Sequence, residues 1–267
     1  MYTLKVGKSI TVRDAKFYDN VKELEEAGFD TVDADLCEGG FFYGEEDKQN
    51  VCNRLQYIND SRLKLNGVHL PYGGSRNIAH LDDAIRKEAI AQHLEMIKAA
   101  DKYSPRCYII HGSWEPVPDN EREEGLRRMT EALNYMQKQT KTPIAVESLP
   151  RTCLLNTAAE MVKAAAMLDK PYFCLDVNHF LQEKTETVIP KVAKWIITTH
   201  ISDHDYENER HWLPGKGEIA WLNVIAELEK AGYQGVWNFE VRDDAYDTYK
   251  NLKANFDNMF ANYNAQK

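Results

Sequence analysis

Six short apolar runs in this chain end in a side chain that can ligate a cation or move a proton. LNGVHL (65 to 70) carries His69, CYIIHG (107 to 112) carries His111, and IAVES (144 to 148) carries Glu147. YFCLDV (172 to 177) carries Asp176 with His179 three residues on, WIITTHIS (195 to 202) carries His200 with Asp203 following, and VWNFEV (236 to 241) carries Glu240. Successive separations are 42, 36, 29, 24 and 40 residues, each about one strand, loop and helix. If the runs are strands pointing one way, these groups meet at one rim, where so many like charges need a cation or displaced pKa values. Imidazole nitrogen and carboxylate oxygen without thiolate form a donor set that suits Mn²⁺, Zn²⁺, Co²⁺ or Mg²⁺. One strand-end histidine alone is ordinarily a hydrogen-bonded core residue; six such groups together are too costly to bury for that explanation.

The elements that position them follow an alternating pattern. TLKVG (3 to 7) and TVDADL (31 to 36) bring the β-rich runs to eight, and helical patterns lie between them, at 14 to 27, 82 to 102, 120 to 139, 157 to 169, 188 to 194 and 219 to 231. Dividing 267 residues by eight gives about 33, the length of one βα unit. No linker, low-complexity tract or repeat divides the chain, so residues 1–267 read as a single domain, an α/β protein closing as a (β/α)8 TIM barrel. An open doubly wound sheet would need its own nucleotide signature, and neither GxGxxG nor GxxxxGK[ST] follows any strand.

Composition narrows the partners. Lys plus Arg number 33 against 42 Asp plus Glu, a net charge of -9, which is opposite to the basic field of a phosphate-tracking protein and disfavours nucleic acid. Five widely spaced cysteines with no CxxC argue against a disulfide framework or a thiolate zinc site and point to a reduced, cytoplasmic compartment. No apolar run approaches 18 residues, so neither a signal peptide nor a membrane span is expected.

GVHLPYG, IIHGSWEP, IAVESLP, CLDVNHF, THISDHD, RHWLPGKGEI and FEVR resemble the xylose isomerase-like barrel superfamily, which holds sugar and sugar-phosphate isomerases and epimerases together with endonuclease IV-type AP endonucleases. The resemblance runs over essentially the whole chain. Its epimerase branch implies that Glu147, Asp176, His200 and Glu240 ligate one divalent cation, with His179 beside the substrate. Its endonuclease branch implies a three-zinc set of His69, His111, Glu147, Asp176, His179, His200, His211 and Glu240. That branch's Asp-x-His is here Glu209-Arg210-His211, one methylene longer at the carboxylate.

The expected chemistry is isomerisation or epimerisation of a sugar or sugar phosphate by proton transfer through a metal-bound enediolate. Glu147 and Glu240 are the catalytic acid and base, with His179 as a hydrogen-bond donor. His69, His111, His179, His211 and Arg242 are candidate substrate contacts; Arg242, two residues after Glu240 and so on the same face of that strand, suits a salt bridge to a neighbouring strand equally well. All of these but Arg242, with Glu209, are also candidate additional metal ligands. Tyr72, Trp114 and Trp212 lie just beyond strand ends and suit a sugar pocket or plain loop packing. The PGKG turn (214 to 217) with Lys216 suits a phosphate or a simple chain reversal. Gly39 and Gly40 before Phe41, Phe42 and Tyr43 suggest an apolar loop over the site or an oligomer contact. The competing function is a metal-dependent AP endonuclease, against which the acidic charge weighs. A barrel that binds a sugar without turnover is a third reading. The surface permits a homo-oligomer.

Overall fold

The computed structural model describes every residue of the chain except Thr3, Glu38 and Gly39, so the expectations placed on Thr3 and Gly39 lie outside the described residues. Eight parallel strands close into one barrel: β1 (Val6–Thr11), β2 (Thr31–Asp35), β3 (Lys64–His69), β4 (Cys107–His111), β5 (Ile144–Glu147), β6 (Phe173–Asp176), β7 (Ile196–Ile201) and β8 (Trp237–Phe239) pair in chain order, and β8 returns to β1. The helices between and after them are α1 (Phe17–Ala27), α2 (Glu45–Asp60), α3 (Asp83–Ala100), α4 (Arg122–Gln137), α5 (Ala158–Met167), α6 (Thr185–Val192), α7 (Trp221–Lys230) and α8 (Tyr249–Ala265).

Local chemistry sets several helix boundaries. The Asp82 carboxylate accepts from Ala84 N and Ile85 N at the start of α3, and Thr157 and Thr248 cap α5 and α8 in the same way. At the end of α1, Gly28 adopts φ 83°, the left-handed conformation that closes a helix at little cost for glycine. Helices α2 and α8 extend the pattern read from sequence. Val51, Cys52, Leu55 and Ile58 are the buried face of an otherwise polar α2, and Tyr249, Leu252, Phe256 and Phe260 that of α8.

Burial divides the apolar residues into two bodies. The large one fills the shell between strands and helices, and a small one, Cys107, Ile109, Ala145 and Cys174, sits apart from it as four inward-alternating strand residues. Much of what surrounds that small cluster is polar: Asp33, Asn66, Thr198 and Asn238 are all buried, linked by hydrogen bonds such as Asn238 Nδ2 to Ser9 Oγ at 2.7 Å. This polar interior explains why β1 lies three residues further along than the apolar run TLKVG. Gly7, Ser9 and Thr11 alternate with Val6, Lys8 and Ile10, and the Lys8 ammonium, though buried, donates to Ser9 O at 2.7 Å.

Candidate active site

Register alone brings the strand-end groups together. His111 is the lateral neighbour of Glu147 across β4 and β5, and Asp176 that of His200 across β6 and β7. Glu240 follows β8 directly, its N–H still donating to Ile201 O of β7 at 3.1 Å. The result is a cluster centred on the fully buried Glu147. His69 Nε2 lies 3.0 Å and His111 Nε2 3.1 Å from its Oε2, and His200 Nδ1 lies 2.9 Å from its Oε1. Glu240 Oε2 approaches the same His200 Nδ1 to 2.8 Å yet makes no hydrogen bond. Asp176 Oδ1 accepts from Asn178 N at 2.7 Å, whereas its buried Oδ2 has no hydrogen-bond partner and faces His179 Nε2 at 3.4 Å.

The charges are held out of balance. Burial opposes ionisation of Glu147, but His200, His111 and His69 around it outweigh burial and keep its carboxyl well below the usual range. Glu240 is likewise held low, by His200 against burial. Asp176 goes the other way: burial, then the negative charges of Glu240 and Glu147, push its carboxyl well above the ordinary value. His200 is raised despite burial by Cys174, Glu240 and Glu147, and His69 rises to about 9 because Glu147 overcomes the burial penalty. Three carboxylates around one imidazole, two of them (Asp176 and Glu240) with a buried oxygen that has no hydrogen-bond partner, make a site that a divalent cation fits, and Glu147, Asp176, His200 and Glu240 are the residues that would hold it.

His179 is fixed by Ser148. Its Nδ1 lies 2.7 Å from the Ser148 carbonyl oxygen, which only accepts, so the proton sits on Nδ1; burial lowers the ring's pKa and leaves Nε2 as a lone pair. His211, at φ 49°, places Nδ1 2.8 Å from Glu240 O. Ligand atoms of His179, Glu209 and His211 lie within 4.8 Å of one another, as do those of His69, His111 and Glu147.

A cavity of about 200 Å³ opens above the cluster, lined by Tyr72, His111, Trp114, Glu147, His179 and His211 among others. Trp114, Tyr72 and His111 form a ladder of rings, at 5.8 Å between the first two and 4.1 Å and 9° between the last two. Sequence reasoning passed over Arg151, whose guanidinium grips Glu115 (Nε to Oε2 2.9 Å) and Glu209 at the mouth, and also Asp33 and Cys174 beside His200. An aspartate at an inward position of TVDADL was the available signal for Asp33.

Other expectations are corrected. Arg242 does not line the cavity: β8 ends at Phe239, and the guanidinium turns to solvent and pairs with Asp244 at 2.8 Å. At the PGKG turn a protein carboxylate stands where an anion was expected: the buried Asp203 side chain takes the N–H of Gly215 together with those of the flanking His204 and Ile219 and the Trp221 indole, while Lys216 is exposed. Phe41 and Phe42 pack against the core rather than over the site, with Phe41 edge-on to His93. Trp212 is outside the cavity lining and its backbone bridges to Asp203.

A family model described as xylose isomerase-like TIM barrel matches residues 21–260. The chain belongs to that family. Within the xylose isomerase-like fold, it superposes on a D-tagatose 3-epimerase-like protein with TM-score 0.81 and 19% identity, covering 98% of this chain and 99% of the other. It superposes on 3-keto-D-glucoside 4-epimerase from E. coli with TM-score 0.77 and 17% identity, covering 97% and 100%. An uncharacterized protein of Methanocaldococcus jannaschii is 24% identical over 161 residues, 58% of this chain; the match spans 62% of that relative's length. Among the described residues no helix is long and apolar enough to cross a membrane.

Proposed function

We propose that this xylose isomerase-like barrel is a divalent-cation-dependent isomerase or epimerase of a sugar. The observation that carries the reading is the pair of carboxylates, Glu147 and Glu240, reaching one imidazole nitrogen at 2.9 Å and 2.8 Å from two strands that are not neighbours. The likeness in fold to sugar epimerases supports it. Glu147, Asp176, His200 and Glu240 would hold a cation of the Mn²⁺, Zn²⁺, Co²⁺ or Mg²⁺ type, whose chemistry when bound would be to polarise a sugar carbonyl and so acidify the adjacent C–H. One glutamate removes that proton from its side of the sugar. The other returns a proton, to the opposite face of the same carbon in an epimerase or to the neighbouring carbon in an isomerase. His179 contributes differently from the donor role its position suggested. With Nδ1–H committed to Ser148, its Nε2 accepts from a substrate hydroxyl. The Trp114, Tyr72 and His111 ladder gives an apolar wall for the sugar's C–H face.

The reading is tested by solvent deuterium incorporation into candidate ketoses. Exchange in the wild type that disappears in Glu147→Gln and Glu240→Gln is expected; unchanged exchange in both variants overturns the assignment. A phosphodiester hydrolase is the second reading, favoured by the His69, His111, Glu147 and His179, Glu209, His211 groupings. Metal analysis separates the two, since about one cation per chain supports isomerisation and three support the hydrolase.

A further inference from the structure

Beneath the proposed ligands the barrel encloses a carboxylate that the mechanism above does not use. Asp33 lies mid-way along β2 and is fully buried. Room for it depends on Gly67 of β3, where a Cβ would stand 2.8 Å from Asp33 Cγ, 2.9 Å from its Oδ1 and 2.7 Å from Ile109 Cδ1. The two oxygens have different partners. Oδ1 accepts from Asn66 Nδ2 at 2.6 Å; Asn66 also donates to Thr198 Oγ1 at 3.1 Å, and its own oxygen accepts from Arg106 Nη1 at 3.0 Å. Arg106 is anchored in turn by Nη2 donating to Ile197 O at 2.6 Å. Oδ2 faces His200 Nε2 at 3.4 Å, and both residues are fully buried.

A carboxylate this far from water is costly unless its oxygens are satisfied, and one neutral amide satisfies only one of them. The second partner is the His200 ring. The groups packed around that ring include the Cys174 thiol and His69, stacked at 5.7 Å and 19°. On the opposite side Nδ1 meets Glu147 and Glu240. A metal-ligating imidazole binds through one nitrogen and is oriented by the hydrogen bond that its other nitrogen donates.

We propose that Asp33 is a positioning residue for His200: its carboxylate keeps a proton on Nε2 and fixes the ring plane, so that the Nδ1 lone pair points at the space shared by Glu147, Asp176 and Glu240. Asn66 and Arg106 hold the carboxylate in place from the other end of the barrel. The inference rests on the reading of His200 as a cation ligand given under Proposed function, and its test has a readout that does not depend on activity.

Wild type, Asp33→Asn and Asp33→Ser are stripped with chelator, checked for fold by circular dichroism, and titrated with Zn²⁺ and Mn²⁺ against a chromophoric chelator. Nitrogen-15 labelling of histidine reports the ring protons in stripped and Zn²⁺-loaded protein. Asp33→Ser is expected to weaken cation binding about 10- to 100-fold and to abolish the slowly exchanging, downfield Nε2–H signal of His200. Asp33→Asn, with a neutral acceptor, is expected to fall between and to move that signal upfield. Unchanged affinity and an unchanged ring signal in folded Asp33→Ser overturn the proposal. If that variant does not fold, the same pair of null results in Asp33→Asn overturns it. Failure of the wild type to bind any cation defeats the functional reading instead. In that event the stripped proteins still decide the contact: an Nε2–H signal that shifts on Asp33→Asn supports it, and an identical signal overturns it.

Discussion

Replacing Asp203 by asparagine tests how the segment bearing Glu209 and His211 is held. The carboxylate is fully buried and divides four donors between its oxygens: His204 N at 2.9 Å and Ile219 N at 3.1 Å on Oδ1, Gly215 N at 2.7 Å and Trp221 Nε1 at 2.9 Å on Oδ2. Gly217 makes this closeness possible, since a Cβ there would run into His204 O and Asp203 Oδ1. Asparagine keeps one accepting oxygen, so two donors lose their acceptor and face an amide N–H₂ instead. A hydrogen bond to a charged group contributes about 1.5 to 3 kcal/mol net, and such losses are not additive, which sets the expected cost of Asp203→Asn near 3 kcal/mol. For a chain of this size that is a fall in Tm of roughly 6 to 12 °C, read by thermal or denaturant unfolding of the metal-free protein. The Trp221 indole proton should also begin to exchange with solvent, and limited proteolysis should cut between 204 and 219. A fall in Tm below about 2 °C with a protected Trp221 proton would refute the claim that this carboxylate organises the loop.

Three further outcomes follow from the same geometry. In the metal-free protein His69 titrates at about 9, above its ordinary value, because Glu147 outweighs burial. Its protonated form therefore contributes stability that is complete below about pH 6.5 and lost as pH rises through 9, a loss of about 3 kcal/mol that Glu147→Gln should remove from the denaturation profile; parallel profiles for the two proteins would count against it. Since Asp176 and His200 both hold protons more tightly than usual, cation binding at pH 7 should release at least one proton, seen as a buffer-dependent calorimetric heat, and buffer-independent heats would contradict this. Arg242→Ala should leave Tm and turnover unchanged, because its guanidinium is exposed and pairs only with Asp244 among the described residues; a raised KM would return it to the substrate site.

The eightfold barrel and its rim were legible in the residues themselves. Strand-end His69, His111, Glu147, Asp176, His200 and Glu240 recur at βα-unit spacing, and parallel strands in a closed barrel have no other end at which to display them. The polar interior was less legible: β1 was placed early because Lys8, Ser9 and Thr11 do not look like a buried strand. Helix α2 shows few apolar positions for its length, which weakens a periodic signal. Only the folded chain decided which polar groups face one another. Sequence spacing puts Arg242 and Glu240 on one face, but the strand stops at Phe239 and the two part. Asp203 and the PGKG turn look like separate features until the chain closes and the carboxylate fills the turn. Asp33 and His200 stand 167 residues apart and meet across the barrel axis. Periodicity is a property of neighbours along the chain, whereas hydrogen-bond partners and pKa values are set by distances of a few ångströms in space, which no local pattern encodes.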